Sequence, residues 1–241
     1  MKRALAISLL LAPLVAHASP PHAVVEVHPG DVTFQKLFEV RALASADPSI
    51  ATAEVMPSGE LLITGKKAGT TDIVAIAGGK LVGIRVHVRP LGTPLPGDGA
   101  SQLSAMEKAC PVHKLVGDGA DQELGVTPNP PACRTALVAL FATDRFLVKQ
   151  ISVDFDTASI QAQLVELEQA LAASKLPVTV SYQGATLVVK GELAPLQAGQ
   201  LAVVLYTHAV GGVPLDDSEL DIDVPDAGAP DVPATPHAPV P

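Results

Sequence analysis

The sequence predicts an α+β fold in which a small all-β domain is followed by a domain of mixed helices and strands. Residues 24–88 alternate apolar and polar residues at the two-residue period of strands. Residues 102–224 include stretches with the period of amphipathic helices. Residues 89–101 are rich in proline and glycine, which disfavour helices and sheets, so this range is expected to form a linker. Residues 225–241 hold six prolines in seventeen residues and are expected to be a disordered tail.

The first eighteen residues have the pattern of a secretory signal peptide. Lys2 and Arg3 precede an apolar run over residues 4–15, and Ala16-His17-Ala18 forms an A-x-A cleavage site. The apolar run is too short to span a bilayer comfortably, and no later stretch offers roughly 18 uninterrupted apolar residues. We therefore expect cleavage after Ala18, export to the periplasm and no transmembrane segment in the mature protein.

Composition disfavours two classes of binding protein. Loss of Lys2 and Arg3 leaves 14 basic residues against 25 acidic ones, a formal charge of 14 − 25 = −11. Nucleic-acid binding needs a basic surface and is therefore not expected. Aromatic residues make up 3% of the chain and tryptophan is absent, which also disfavours a sugar-binding protein.

The strand pattern of the first domain is clearest at residues 81–88, "LVGIRVHV". Apolar side chains alternate there with Arg85 and His87, which predicts a strand with one face in solvent. Gly78-Gly79 predicts a hairpin before this strand, and "MPSGE" at residues 56–60 predicts another turn.

The stretch "GELLITGKKAGTTD" at residues 59–72 raises the question of a phosphate-binding loop. Gly59 and Gly65 are separated by five residues instead of four, and β-branched residues follow where a helix should begin. The stretch therefore predicts a hairpin connection in which Gly69 takes a positive φ. Lys66 and Lys67 at its tip are either simply solvated or contact an acidic partner.

Cys110 and Cys133 are the two cysteines of the chain. In an oxidising compartment such a pair predicts one disulfide, here between a helix beginning near Gln102 and one beginning near Arg134. A redox role, or a metal site that also uses His113, is the alternative.

In the second domain, the sequence from residue 157 onward predicts the order helix, strand, strand, helix, strand. Its first helix carries an apolar stripe, and Asp221 and Asp223 of its last strand are expected to face outward. The stripe consists of Ile160, Leu164, Leu167 and Leu171. The stretch "GDGADQE" at residues 117–123 is either a calcium loop or, as we expect, a solvated loop.

Motifs of catalytic sites are missing from the sequence. It holds neither H-E-x-x-H nor G-x-S-x-G, and its histidines lack metal-ligand spacing. His208 lies in an apolar helix, where packing is commoner than catalysis. We assign no catalytic residue, no metal and no cofactor, and we expect the protein not to be an enzyme.

The first domain resembles the N-terminal domain of pilus-assembly secretins of the tight-adherence type. The resemblance rests on the ordered stretches "HPGDV", "ADPSIATAEVMPSGELLITGKKAGTTDIVAI" and "GIRVHV". The residues that match the family pattern are Asp47, Pro48, Ile50, Ala51, Gly65, Lys66, Gly69 and Thr71. The resemblance covers about 65 residues and implies a periplasmic, β-rich domain that works in a pilus or secretion apparatus. We expect no secretin pore domain in this chain.

Residues 157–224 resemble a BON domain, a small exported α/β module. The features that carry this resemblance are the element order, "VTVSYQGATLVVKGEL" with Gly191, and "GGVPLDDSELDI". Residues 102–156 extend this BON-like domain as an insert that carries both cysteines.

These resemblances imply a non-enzymatic periplasmic component of a pilus-assembly or type II-like secretion apparatus. Its partner is expected to be the secretin or a neighbouring envelope protein, with self-association left open. The alternative is an envelope or stress protein whose BON-like domain binds a lipid surface, although a charge of −11 repels anionic headgroups.

Overall fold

A computed structural model describes residues 21–92, 100–116, 122–126, 131–143, 148–153, 157–209 and 214–223. The predicted signal peptide and tail, most of the linker and most of the "GDGADQE" stretch lie outside these residues. Among the described helices, none is long and apolar enough to cross a membrane.

Seven strands form the N-terminal domain and are arranged in two sheets. They are β1 (Ala23–Val27), β2 (Val32–Lys36), β3 (Val40–Ser45), β4 (Ala51–Val55), β5 (Glu60–Gly65), β6 (Gly69–Ala77) and β7 (Lys80–Val88). One sheet has the order β1-β7-β6-β3 and the other the order β2-β5-β4. An apolar core lies between them, and it includes the fully buried side chains of Leu61, Ile63 and Val86.

Two turns of this domain are as predicted. Ala77 pairs with Lys80 across Gly78 and Gly79, which both have positive φ, as a tight hairpin requires. Strands β4 and β5 pair across the "MPSGE" turn, in which the Met56 amide donates to the Glu60 carbonyl at 2.8 Å.

Two predictions for this domain are wrong. Strands β5 and β6 lie in different sheets, so the loop that carries Lys66 and Lys67 is a crossover between sheets and not a hairpin connection. Strand β7 is buried on both faces, because other parts of the chain cover the side that carries Arg85 and His87.

Five elements follow between residues 100 and 153 and form a second structural unit. Its elements are α1 (Ala100–Ala109), β8 (His113–Val116), β9 (Gln122–Val126), α2 (Pro131–Phe141) and β10 (Val148–Val153). Strand β9 is central, antiparallel to β8 and parallel to β10. The predicted disulfide joins Cys110, directly after α1, to Cys133 in the first turn of α2, and both cysteines are fully buried.

Residues 157–222 follow with the predicted order of elements. They are α3 (Thr157–Ser174), β11 (Val178–Gln183), β12 (Thr186–Leu193), α4 (Pro195–His208) and β13 (Leu215–Ile222). Leu167 and Leu171 of the predicted stripe are buried, and Ile160 and Leu164 are partly buried. Asp221 and Asp223 are exposed as expected. Helix α4 begins with Pro195 at its first position, and the Gln197 side chain accepts a bond from the Ala194 amide.

The two helix-containing units share one topology. In each, a helix is followed by two antiparallel strands, a second helix and a strand parallel to the middle one. The stretch expected to be an insert is therefore a second five-element unit.

Helix α4 joins the last unit to the N-terminal domain. Ala42, Val74, Ile76 and Leu81 of the β1-β7-β6-β3 sheet share a continuous apolar cluster with Leu201, Leu205 and other residues of the last unit. Gly199 lets α4 approach β3 closely, because a Cβ there would lie 2.9 Å from the Leu43 carbonyl oxygen.

Candidate functional site

The crossover between β5 and β6 presents Lys66 and Lys67 at the surface, as the sequence predicts. The amides of both lysines donate to the Ile50 carbonyl, at 2.7 and 3.2 Å. The Lys66 Nζ donates to the Pro48 carbonyl at 3.3 Å. Gly69 has a φ of +156°, and a Cβ there would lie 2.9 Å from Ile50 Cδ1. The backbone of this loop is thus held in place while both lysine side chains remain exposed.

Asp47 is the carboxylate beside these lysines. Its Oδ1 accepts from the Ser49 amide at 2.9 Å and from the Ser49 hydroxyl at 2.7 Å. These two bonds lower the pKa of Asp47, and the charge of Lys67 lowers it further. Asp47 is therefore ionised at neutral pH, but its bonds to Ser49 occupy part of its capacity to accept from the lysines.

Strand β2 forms an exposed edge of the second sheet. Val32 and Phe34 on this strand are 51% and 55% exposed, and Phe38 just beyond it is 78% exposed. An edge with apolar side chains is available for association with another chain. Strands β2 and β3 lie in different sheets. The turn that follows β3 contacts the lysine loop.

A buried ion pair crosses the sheet of the N-terminal domain. Arg85 Nε and Nη2 donate to the two carboxylate oxygens of Asp72 at 3.0 and 3.1 Å, and both side chains are almost fully buried. Arg85 Nη1 donates to the carbonyls of Phe141 and Thr143 at 2.7 and 2.5 Å. Arg85 thereby ties strand β7 to the end of helix α2.

Sequence reasoning missed this pair by placing Arg85 in solvent, although a usable signal was present. The Gly78-Gly79 hairpin pairs residue 77 with residue 80, and the same register places Asp72 opposite Arg85. Opposite charges at one cross-strand position indicate an ion pair. Helices α2 and α4 bury that pair. No local sequence pattern predicts that these two helices pack on this sheet.

Tyr206 of α4 packs against the same face of the sheet. Its ring occupies the space over Gly83, where a Cβ would overlap the ring atoms. Burial raises the pKa of the Tyr206 phenol, Asp72 raises it further and Arg85 lowers it. The phenol therefore stays neutral at physiological pH.

Arg41 connects the N-terminal domain to the last strand. Its Nη1 donates to the carboxylate and the carbonyl of Asp217 at 2.7 and 2.8 Å, and its Nη2 donates to the Leu220 carbonyl at 2.6 Å. Arg85, Tyr206 and Arg41 thus fix the N-terminal domain against both helix-containing units.

The disulfide uses both sulfur atoms of the alternative metal site at Cys110, His113 and Cys133. His113 Nδ1 is hydrogen-bonded to the Cys110 carbonyl at 2.8 Å. Across the ranges that the structure describes, no group of three His, Cys, Asp or Glu residues is arranged to hold a metal ion.

Comparison with known structures gives only weak similarity. Domains 4 and 5 of the S-layer protein SbsC are 23% identical, over 28% of this chain and 48% of theirs, with a TM-score of 0.25. The endo-fucoidan hydrolase MfFcnA9 from glycoside hydrolase family 107 is 19% identical, over 33% of this chain and 17% of its own, with a TM-score of 0.22. The chain thus spans about half or less of the length of these structures, and such TM-scores do not establish a shared fold. No curated protein matches the chain.

The informative comparison is with a family model. Residues 22–89 match the family described as "Pilus formation protein N terminal region". The matched range contains the lysine loop and the Asp72–Arg85 pair. The match supports a secretin-type N-terminal domain at residues 22–89.

Proposed function

We propose that the protein is a non-enzymatic periplasmic component of a pilus-assembly or type II-like secretion apparatus, which binds the secretin or a neighbouring envelope protein. The family match over residues 22–89 carries this proposal. The domain division belongs to the same proposal, with residues 24–88 as one domain and residues 102–224 as a BON-like region of two five-element units. The element order from α3 to β13 supports the BON-like part.

The partner contacts the lysine loop in this proposal. Lys66 and Lys67 are exposed on a backbone that the Ile50 carbonyl holds in place, so little ordering of the loop accompanies binding. The full chain has a formal charge of −9, which makes two adjacent ammonium groups a local positive feature. Such a feature increases the rate of association with an acidic partner.

Co-purification of the tagged protein with a secretin of the same organism tests the proposal. We expect the secretin to be recovered with the wild type and with a Lys108→Glu/Lys114→Glu control, whose lysines are exposed elsewhere on the chain. Recovery with Lys66→Glu/Lys67→Glu should fall several-fold. The variants carry equal charge changes, so a general effect of net charge would affect both.

Recovery of neither a secretin nor another pilus or secretion protein with the wild type would contradict the proposed function. If the protein instead binds vesicles of anionic phospholipid under the same conditions, the lipid-surface alternative replaces the proposal.

Export belongs to the same proposal and has its own test. Mass spectrometry of protein from the periplasmic fraction should give a mature N-terminus at Ser19, since Ala16-His17-Ala18 precedes it. Protein that retains Lys2 and Arg3 would contradict export through signal cleavage.

A further inference from the structure

An apolar groove lies between the N-terminal domain and helix α4. It encloses about 630 Å³. Leu43, Ser45 and Pro48 line one wall, and Leu196, Gly199 and Val203 of α4 line the other. Leu196 stands at the groove with 77% of its surface exposed.

Strand β3, which forms part of the first wall, lies at the edge of its sheet. The Ala46 amide donates to the Asp72 carbonyl at 2.9 Å, so position 46 hydrogen-bonds toward β6. Because backbone groups alternate along an antiparallel strand, the amide and carbonyl of Ser45 point away from β6. The groove therefore offers the backbone amide and carbonyl of Ser45 to an added extended segment.

The rim of the groove is basic. Lys66 Nζ lies 3.3 Å from the carbonyl oxygen of Pro48, which lines the groove, and Lys67 follows it. Lys175 directly follows Ser174, another lining residue. Asp47 is the acidic residue next to Pro48, and its carboxylate already accepts two bonds from Ser49. On a chain with a formal charge of −9, this charge pattern favours an acidic ligand.

We propose that this groove binds an extended peptide segment of a partner protein in which apolar and acidic side chains alternate. Apolar side chains on one face of the segment fill the groove, and acidic side chains on the other face meet the lysines of the rim. The backbone of the segment pairs with β3 at Ser45. The inference rests on the proposed function, because it specifies the kind of segment by which the partner is bound.

Fluorescence anisotropy with the mature protein and labelled peptides tests this inference. The probe is a ten-residue peptide that alternates valine with aspartate, and its control alternates valine with lysine. We expect the acidic peptide to bind at least tenfold more tightly than the basic one, with an affinity that falls as salt is added. Equal binding of the two peptides, or binding of neither, would overturn the inference.

Two matched substitutions locate the site. Leu196→Asp places a carboxylate in the groove, at a helix N-terminus where aspartate does not harm folding. Leu91→Asp makes the same change at a leucine that is 84% exposed and does not line the groove. We expect Leu196→Asp to weaken binding of the acidic peptide at least tenfold and Leu91→Asp to leave it within twofold. Equal affinities for the two variants would overturn the assignment to the groove.

Other occupants give different results. If a variant that ends at Asp223 binds the peptide more tightly than the full mature chain, residues 224–241 occupy the groove and the partner assignment is wrong. If Leu196→Asp dissociates an oligomer in analytical ultracentrifugation, the occupant is a second copy of the chain.

The outcome is separate from that of the proposed function, because the peptide assay contains no secretin. If the protein binds the peptide through the groove but no pilus or secretion component co-purifies with it, the groove site is supported and the proposed function is contradicted. If the secretin co-purifies equally well with the wild type and with Leu196→Asp, the proposed function is supported and the groove is not the partner site.

Discussion

Among single residues, Arg85 joins strand β7 to the end of helix α2. Its guanidinium holds Asp72 and two carbonyls of the α2 end in the protein interior. Removing one partner of a buried pair leaves the other charge without compensation, which costs about 3–5 kcal/mol.

We therefore expect Arg85→Met to lower the free energy of unfolding by about 3 kcal/mol or more, measured by urea denaturation. Arg85→Met/Asp72→Leu should recover part of the loss, because no buried charge remains. Arg89→Met, which removes the more exposed pair with Glu26, should cost less than about 1 kcal/mol. A loss at Arg85 no larger than the loss at Arg89 would contradict the structural role of the buried pair.

Gly83 is the second residue with a predictable effect. A Cβ at this position overlaps the ring of Tyr206, and both groups lie in a closely packed interior. Gly83→Ala should destabilise the protein by about 1–3 kcal/mol, and Tyr206→Leu in the same chain should reverse part of this loss. Gly125→Ala is the control, since a Cβ there meets its nearest atom at 3.9 Å. Equal stability of the Gly83 and Gly125 variants would contradict the observed packing.

His22 gives the protein a pH-dependent stability. Burial lowers the pKa of His22 below its usual value of 6.5, nearby Lys80 lowers it further, and Nδ1 accepts from the Gly83 amide at 3.3 Å. The unfolded chain therefore binds the proton more readily than the folded one. The stabilisation is fully present above pH 6.5 and is lost as the pH falls through the lower pKa of the folded state.

We expect the urea midpoint of the wild type to fall between pH 7.5 and pH 5, and the fall to be smaller in His22→Asn, which keeps a neutral acceptor. Burial also lowers the pKa of His208, so adding His208→Gln should flatten the profile further. Identical profiles for the wild type and both variants would assign the pH dependence to other groups.

Among the secondary-structure elements, α1 and α2 are joined by the disulfide, which stabilises the unit at residues 100–153. The disulfide spans a sequence separation of 23 residues. A loop of this length contributes about 3 kcal/mol on the chain-entropy account.

Cys110→Ala/Cys133→Ala should therefore lower the stability of residues 100–153 by about 3 kcal/mol, measured by hydrogen exchange of the amides in α1, β9 and α2. Protein purified from the periplasm without reductant should contain no titratable thiol. Two free thiols, or unchanged exchange in the variant, would contradict the role of the disulfide.

Local patterns predicted many elements, but not that β7 is buried on both faces or that β5 and β6 lie in different sheets. The Gly78-Gly79 hairpin, the stripe of α3 and the order from α3 to β13 follow from short-range periodicity and turn chemistry, and the structure has them. The lysine loop was expected to join paired strands, yet β5 and β6 belong to different sheets. A two-sheet crossover and a hairpin have the same local sequence requirements, so only strand pairing distinguishes them.

At the scale of the whole molecule, the candidate binding surface depends on contacts between distant parts of the chain. The lysine loop belongs to the N-terminal domain, whereas the wall opposite β3 is helix α4, more than a hundred residues later. The exposure of Lys66 and Lys67 could be predicted from sequence. Their position beside an apolar groove could not, because it arises only when α4 packs on the β1-β7-β6-β3 sheet.

The proposed function requires that the lysine loop associate with an acidic partner. Association rates with a purified secretin of the same organism, measured at about 50 and 300 mM salt, test this requirement. The wild-type rate should fall steeply with salt, and Lys66→Glu/Lys67→Glu should bind about tenfold more slowly with a flatter salt dependence. Equal rates and equal salt dependence for this variant and the Lys108→Glu/Lys114→Glu control would contradict the proposed role of the loop.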